Sequence, residues 1–116
     1  SRELGRDILE KELRRAGLRA MGEGAGRLQV DAGHVIFGHT HRPGPLPGDD
    51  PAEWSTPAGG RLVNTGSWVY QPHFLGRTPD VSPYWPGTVV RVEDRGAPQV
   101  VRLLEARGHD ELRPIF

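Results

Sequence analysis

The chain has 116 residues, 15 basic and 15 acidic side chains, and no cysteine. This length allows one modest domain or a part of a larger one, and excludes a multidomain machine. The balanced charge predicts no general nucleic-acid binding, and the missing cysteines exclude disulfides, iron-sulfur clusters and thiolate zinc sites. The apolar runs are too short to cross a bilayer, so we expect no membrane contact. Of the 15 basic residues, 14 are arginine, a bias typical of GC-rich genomes and not of a function. We expect a bacterial protein located in the cytoplasm.

The first predicted element is a helix over residues 3–16. Apolar residues recur there at helical spacing among charged ones, namely Leu4, Ile8, Leu9, Leu13 and Ala16. Gly17 is a plausible end for this helix. Three glycines at positions 22, 24 and 26 predict a flexible linker or loop over 21–27.

Five short strands are predicted after the linker, because β-branched and aromatic residues cluster between turn residues. Their ranges are 33–37, 61–64, 68–70, 88–93 and 99–104. The last two alternate apolar and polar residues around the turn 94–97, which predicts a hairpin. The domain is therefore divided into a helix and linker over 1–27, strands and loops over 28–104, and a polar tail or packing arm over 105–116.

The most informative motif is Gly38-His39-Thr40-His41-Arg42-Pro43, directly after the strand 33–37, which we expect to be buried. On an extended backbone, His39 and His41 would point to the same side, so both imidazoles could reach one metal site. A bare His-x-His pair is weak support for a metal site, and the surrounding sequence decides how it is interpreted.

This apolar strand and histidine motif, followed by Leu62-Val63-Asn64-Thr65-Gly66-Ser67-Trp68, resembles the C-terminal part of the calcineurin-like metallophosphoesterases. The resemblance covers residues 34–70, and 86–104 fits the closing hairpin of that family. It implies an α/β (α+β) fold, in which this chain forms the C-terminal portion of a mixed β-sandwich flanked by helices.

The resemblance also implies the chemistry of the site. His39 would bind one metal of a dinuclear pair and His41 the other, with manganese, iron or zinc as the two ions. Such a pair activates a water-derived nucleophile that attacks a phosphate-ester substrate. Arg42 is assigned to substrate binding, because a guanidinium matches phosphate geometry. Its alternative role is a structural hydrogen-bond donor. No catalytic side chain is assigned.

The departures from the family are equally informative. The family's other metal ligands lie in upstream Asp-x-His, Gly-Asp-x-x-Asp and Gly-Asn-His motifs, with one further histidine, and this chain has none of them. We therefore expect a C-terminal segment that is inactive alone, and whose partner is the missing N-terminal part of the enzyme or a second copy. The alternative is a noncatalytic β-rich interaction module whose histidines are incidental or bind one metal weakly.

Other candidate residues have ordinary structural interpretations. His34 is expected to be a strand-end histidine that is packed or hydrogen-bonded, and His73 is expected to be a surface histidine. Asn64 is expected to brace the backbone in preference to lying beside a metal. Five aromatic residues are expected to pack or anchor loops, with a substrate lip as the alternative: Trp54, Trp68, Tyr70, Tyr84 and Trp85.

Overall fold

The structure is a computed structural model, and it describes residues 2–75 and 82–112. The chain is of the mixed α/β class, as predicted. Its elements in chain order are helix α1 (Arg2–Arg27), strand β1 (His34–Phe37), a 3-10 helix (Pro51–Trp54), strand β2 (Arg61–Asn64), helix α2 (Pro72–Leu75), strands β3 (Thr88–Arg91) and β4 (Gln99–Arg102), and helix α3 (His109–Leu112). Among these described residues, no helix is both long and apolar enough to span a membrane.

Helix α1 is longer than predicted. It has 26 residues in all and continues past the expected stop at Gly17 and through the expected linker over 21–27. Both of these predictions are wrong. The helix ends where Gln29 adopts a left-handed conformation with φ of 54°. There the amides of Val30 and Gln29 donate to the carbonyls of Ala25 and Gly26 at 2.9 and 3.1 Å. This pattern is a Schellman C-cap, formed without glycine at the left-handed position.

Two glycines of α1, Gly22 and Gly26, face neighbouring backbone and side-chain atoms. A Cβ atom at Gly22 would lie 3.4 Å from the carbonyl oxygen of Ser55, and one at Gly26 would lie 3.2 Å from Cγ of Pro57. The helix therefore lies close against the chain that follows the 3-10 helix. Burial of Leu18 and Ala25 on the same side of α1 compensates for the poor helix propensity of glycine, which costs about 1 kcal/mol per residue.

The two halves of α1 differ in burial. Leu18, in the second half, is 5% exposed, whereas Ile8, Leu9 and Leu13, in the first half, are 55%, 59% and 63% exposed. The predicted helix at the start of the chain is confirmed. Its apolar face, however, has no cover among the described residues at these three positions.

Strands β1 and β2 form a two-stranded parallel sheet, with pairs running from His34–Arg61 to Phe37–Asn64. Strand β1 alternates: Phe37 is buried, while Ile36 is 41% exposed. The prediction of a buried strand is therefore wrong, since only one face of β1 is covered. Among the described residues, β2 is the only strand that pairs with β1.

A small core joins α1 to this sheet. Its buried members are Leu18, Phe37, Trp54 and Leu62. The backbone at Gly44 passes directly against the ring of Trp54, where a Cβ atom would overlap the ring. The loop after β1 is thereby held between the 3-10 helix and β2.

The predicted hairpin is confirmed: β3 and β4 are antiparallel, with pairs from Thr88–Arg102 to Arg91–Gln99. It forms a second, separate sheet. The strand predicted over 68–70 is wrong, because the amide of Val69 donates to the hydroxyl of Ser67 at 3.0 Å and forms a local turn instead. Four strands are therefore present in the described part of the chain. Of the predicted tail, residues 109–112 form α3, and 113–116 lie outside the described residues.

Candidate functional site

The histidine motif forms a loop at the carboxyl end of β1. Because β1 and β2 are parallel, the segment Thr65-Gly66-Ser67 leaves the sheet at the same edge. The amide of Thr65 donates to the carbonyl of Phe37 at 2.9 Å, and Gly44 exchanges backbone hydrogen bonds with Asn64 at 2.9 and 3.2 Å. The two segments named by the sequence resemblance are therefore neighbours in space, at the edge of a parallel sheet where ligand sites are common.

Asn64 joins the two segments through its side chain. It is 1% exposed; its Nδ2 donates to the hydroxyl of Thr40, and its Oδ1 accepts from the amide of Gly66 at 2.9 Å. Both ends of the buried amide are thus satisfied. Asn64 braces the loop, the role favoured by the sequence, and its immediate partner is the residue between the two histidines.

His39 and His41 both lie in the left-handed region, with φ of 107° and 64°. The prediction of an extended backbone is therefore wrong here. Such a conformation costs a non-glycine residue about 1–3 kcal/mol and persists where surrounding contacts enforce it, commonly at functional sites. His39 is exposed and His41 half-buried, with the His41 ring edge-on to Phe74 at 6.0 Å between centroids.

The described residues do not contain a complete metal site. No group of three or more His, Asp or Glu side chains in 2–75 and 82–112 is arranged to hold a metal ion. His39 and His41 supply two neutral nitrogen donors, whereas each metal of a dinuclear pair needs four to six ligands with charge-compensating oxygens. The two histidines alone therefore do not provide the ligands of such a site.

Arg42 is engaged by Asp49. Its Nη1 donates to Oδ2 at 2.6 Å and its Nη2 to Oδ1 at 2.9 Å, while Nη1 also reaches the carbonyl of Pro43 at 3.1 Å. The residue is 8% exposed and lies over the ring of Trp54. This bidentate pair matches the structural alternative, since contact with a substrate phosphate would require Arg42 to release Asp49.

The environment of Asp49 stabilises its charged form. Burial by itself would raise the pKa of Asp49, but hydrogen bonds from Arg42 and from the amide of Leu46, together with the guanidinium charge, hold it below the usual value of 3.8. The Leu46 amide donates at 2.7 Å. Arg42 and Asp49 thus fasten the loop after the histidine motif.

The expectation that five aromatic residues pack or anchor loops is wrong for Trp68, which is 60% exposed. Trp54 and Trp85 are buried as predicted, at 2% and 1% exposure, and the Trp85 indole donates to the carbonyl of Leu104 at 2.8 Å. Tyr70 contacts the ring of His109 through its hydroxyl, so part of the tail is a packing arm. His73 is exposed, as predicted. His34 begins strand β1, as predicted, but it is exposed, so the expectation that it is packed is wrong.

Sequence reasoning missed three residues of this region. Thr40 occupies the variable position of the histidine motif, yet its hydroxyl accepts a hydrogen bond from the buried side-chain amide of Asn64. Asp49 lies in a loop with a second aspartate, and nothing in the sequence distinguished the two. Phe74 lies in the short helix α2, two residues after Pro72, and its stacking on Tyr84 at 5.5 Å depends on tertiary contacts that no local pattern encodes.

Comparison with known proteins gave no match: no family model, no curated protein and no solved structure matches this chain.

Proposed function

We propose that this chain is part of a metal-dependent phosphoesterase, and that His39 and His41 are its contribution to a dinuclear site that hydrolyses a phosphomonoester or phosphodiester. The observation that carries the proposal is the brace between Asn64 and Thr40. A buried amide from the second segment of the resemblance fastens the residue between the two histidines of the first, and both histidines adopt unfavourable backbone conformations there.

Each residue has a defined task under this proposal. His39 and His41 each offer one imidazole nitrogen to a different ion, and Asn64 fixes the loop so that the two rings keep their positions. Bound manganese, iron or zinc ions would supply Lewis acidity and a nucleophile at neutral pH. The carboxylate ligands that such ions require come from residues outside this chain.

The same proposal treats the chain as one portion of a larger mixed β-sandwich. Two features support it: β1 pairs only with β2 among the described residues, and Ile8, Leu9 and Leu13 are exposed. Parallel sheets occur almost entirely in folds that cover both faces and contain more than two strands. Further strands beside β1 and a segment packed over the exposed face of α1 would complete such a fold. Under the same proposal, the enzyme is cytoplasmic.

A second candidate is a noncatalytic interaction module. The exposed apolar residues of α1 favour it too, because a partner protein would cover them as well as the rest of an enzyme would. The two candidates differ in what they require of the histidines. A module keeps its binding when His39 and His41 are replaced, whereas a phosphoesterase loses turnover.

The test is hydrolysis of 4-nitrophenyl phosphate and its bis ester with added manganese. We expect the 116-residue chain to react no faster than buffer, and the protein extended by its upstream coding sequence to hydrolyse at least one ester. In the extended protein, His39→Ala and His41→Ala should each nearly abolish turnover, while His34→Ala should not. Turnover by the short chain that is lost in His39→Ala would show that the missing ligands are not needed. An inactive extended protein would favour the interaction module.

A further inference from the structure

A cavity lies between α1 and the histidine loop. It has a volume of about 250 Å³ and is lined on one side by Leu13, Arg14 and Leu18 of α1, and on the other by Thr40 and Trp54. Phe74 and Tyr84 also line this helix cavity. The volume exceeds the roughly 150 Å³ that holds a benzene molecule and lies just below the range of about 300–1,000 Å³ for common ligand sites. It therefore suits one aromatic ring system and not a large ligand.

The lining is aromatic and cationic together. Phe74 and Tyr84 stack with an interplanar angle of 21°. The His73 ring also lies 4.3 Å from Phe74, but Phe74 is still 41% exposed, so part of its ring remains accessible to a ligand. Burial, reinforced by the charge of Glu10, raises the pKa of Tyr84. The phenol is therefore neutral at physiological pH.

Arg14 is the cation of the cavity with the weakest partner. Its Nη2 is 3.8 Å from Glu53, but Glu53 is already bound by Arg15 through a 2.7 Å hydrogen bond. The Nε of Arg14 is buried with no acceptor among the described residues. Its guanidinium thus has donor capacity that an anionic ligand could use.

A smaller depression of about 170 Å³ adjoins the helix cavity, since Arg14, Arg42 and Tyr84 line both. Lys11 and Glu10 also line this depression. Because Arg42 is paired with Asp49, two further cations, Lys11 and Arg14, face the one anion Glu10 there. Such an excess of positive charge beside a cavity attracts anionic ligands.

The helix cavity borders the candidate metal site directly. Thr40, the residue between the two histidines, is part of its wall, and His41 contacts Phe74, another part of the wall. A ligand seated on Phe74 would therefore have its other end beside the histidine loop.

We propose that the helix cavity binds the organic part of the substrate, and that the substrate is a phosphate ester of a single aromatic or heteroaromatic ring system. The ring lies against Phe74 and Tyr84, the phosphate points toward Thr40 and the histidines, and Arg14 donates to the phosphate. This assignment rests on the proposed phosphoesterase function for the fate of the phosphate, but the binding itself requires no metal.

The test measures binding to the full 116-residue chain without metal, by amide chemical shifts in two-dimensional NMR, which also report folding. The probes are phenyl phosphate, methyl phosphate and phenol. We expect phenyl phosphate to bind at least about tenfold more tightly than methyl phosphate, since even one methylene in an apolar site is worth about 10-fold or more. Phenol should bind more weakly than phenyl phosphate, and the largest shifts should fall on Thr40, Phe74 and Tyr84.

Two variants with matched controls separate the ring from the phosphate. Phe74→Leu should weaken the binding of phenyl phosphate by about 2–10-fold, the usual contribution of an aromatic pair, and should leave the affinity for methyl phosphate unchanged. Trp68→Leu, at a 60% exposed aromatic outside the cavity, should change neither. Arg14→Gln should lower the affinity for both phosphates. Arg91→Gln, on the exposed face of the hairpin, should lower the affinity for neither.

Equal affinities for phenyl and methyl phosphate, phenol binding as tightly as phenyl phosphate, or shifts confined to other regions would each overturn the assignment. The results also distinguish an error in the proposed phosphoesterase function from an error in the proposed ligand site. Aromatic phosphate binding without turnover in the upstream-extended protein would overturn the phosphoesterase and leave a binding site. Turnover with no preference for aromatic esters would overturn the cavity alone.

Discussion

The two halves of α1 carry similar numbers of apolar side chains and make very different use of them. In the second half, Leu18 packs with Phe37, Trp54 and Leu62, and glycines let the helix approach its neighbours. In the first half, Ile8, Leu9 and Leu13 remain exposed. The difference teaches that an amphipathic pattern predicts a helix but does not identify what the helix packs against. The covered half belongs to the core of this chain, and the uncovered half indicates a surface that another segment or another molecule would cover.

The largest expected effect separates these halves by the same substitution on one helix. Leu18→Ala should lower the free energy of unfolding by about 2–5 kcal/mol, because it opens a cavity in the core. Leu9→Ala should change it by no more than about 0.5 kcal/mol, as for exposed sites. Urea unfolding followed by circular dichroism measures both. Equal losses would mean that the first half is packed in solution.

Gly44 tests the packed region from the loop side. Gly44→Ala should destabilise the chain by about 1–3 kcal/mol, the usual cost of overpacking, because the added Cβ would overlap the ring of Trp54. Gly33→Ala is the matched control, since a Cβ there meets nothing within 4 Å. Thermal unfolding of both variants provides the comparison. A neutral Gly44→Ala would contradict the close approach of this loop to Trp54.

The pair of Arg42 and Asp49 adds a pH dependence to the packed region. Because the pKa of Asp49 is lower in the folded chain than its usual 3.8, its contribution to stability is present above that value and is lost as the pH falls through the folded pKa. Asp49→Asn should lower the free energy of unfolding by about 1–3 kcal/mol at pH 7, as expected for charge-assisted hydrogen bonds.

The same variant gives the control for the pH effect. Below the folded pKa of Asp49, the native chain and Asp49→Asn should approach each other in stability, as measured by urea unfolding at several acidic pH values. Asp94→Asn, in the exposed turn of the hairpin, should follow the native chain throughout. A constant difference between native and Asp49→Asn chains at all pH values would contradict the ion pair.

The smallest expected effect on folding concerns the uncovered half of α1. We expect the isolated chain to self-associate through this half, because an apolar helix face and the unpaired edges of a two-stranded sheet are exposed to solvent. Leu9→Glu with Leu13→Glu should shift the mass toward the monomer in size-exclusion chromatography with light scattering, and should change unfolding little. A native chain that is monodisperse, monomeric and highly stable would count against the incomplete fold.

Much of the fold was predictable where the pattern is local. The hairpin follows from alternation around a turn, and β1 and β2 follow from β-branched residues between turn signals. The length of α1 was not predictable, because Gly22 and Gly26 disfavour a helix by propensity, and the segment that lies beside them, with Ser55 and Pro57, comes about 30 residues later in the chain. Tertiary packing overrode intrinsic propensity there.

The candidate site divides in the same way. Its position at the carboxyl end of β1, and the bracing role of Asn64, were predictable from the order of strand, histidine motif and Asn-Thr-Gly-Ser segment. The left-handed backbone of His39 and His41 and the bidentate partner of Arg42 were not. The left-handed residues flank Thr40, which Asn64 contacts only after folding, and the partner of Arg42 is Asp49, one of two adjacent aspartates that the sequence did not distinguish.

The measurement that tests the central claim most directly is the metal content of the upstream-extended protein and four histidine variants, by plasma mass spectrometry, with circular dichroism to confirm folding. We predict that His39→Ala and His41→Ala each lose metal while keeping native spectra, because each removes one ligand from a different ion. His34→Ala and His73→Ala, both at exposed positions, should retain it. If the His39 and His41 variants kept two metals per chain with native spectra, this histidine loop would not be a metal site, and the interaction module would be the better account.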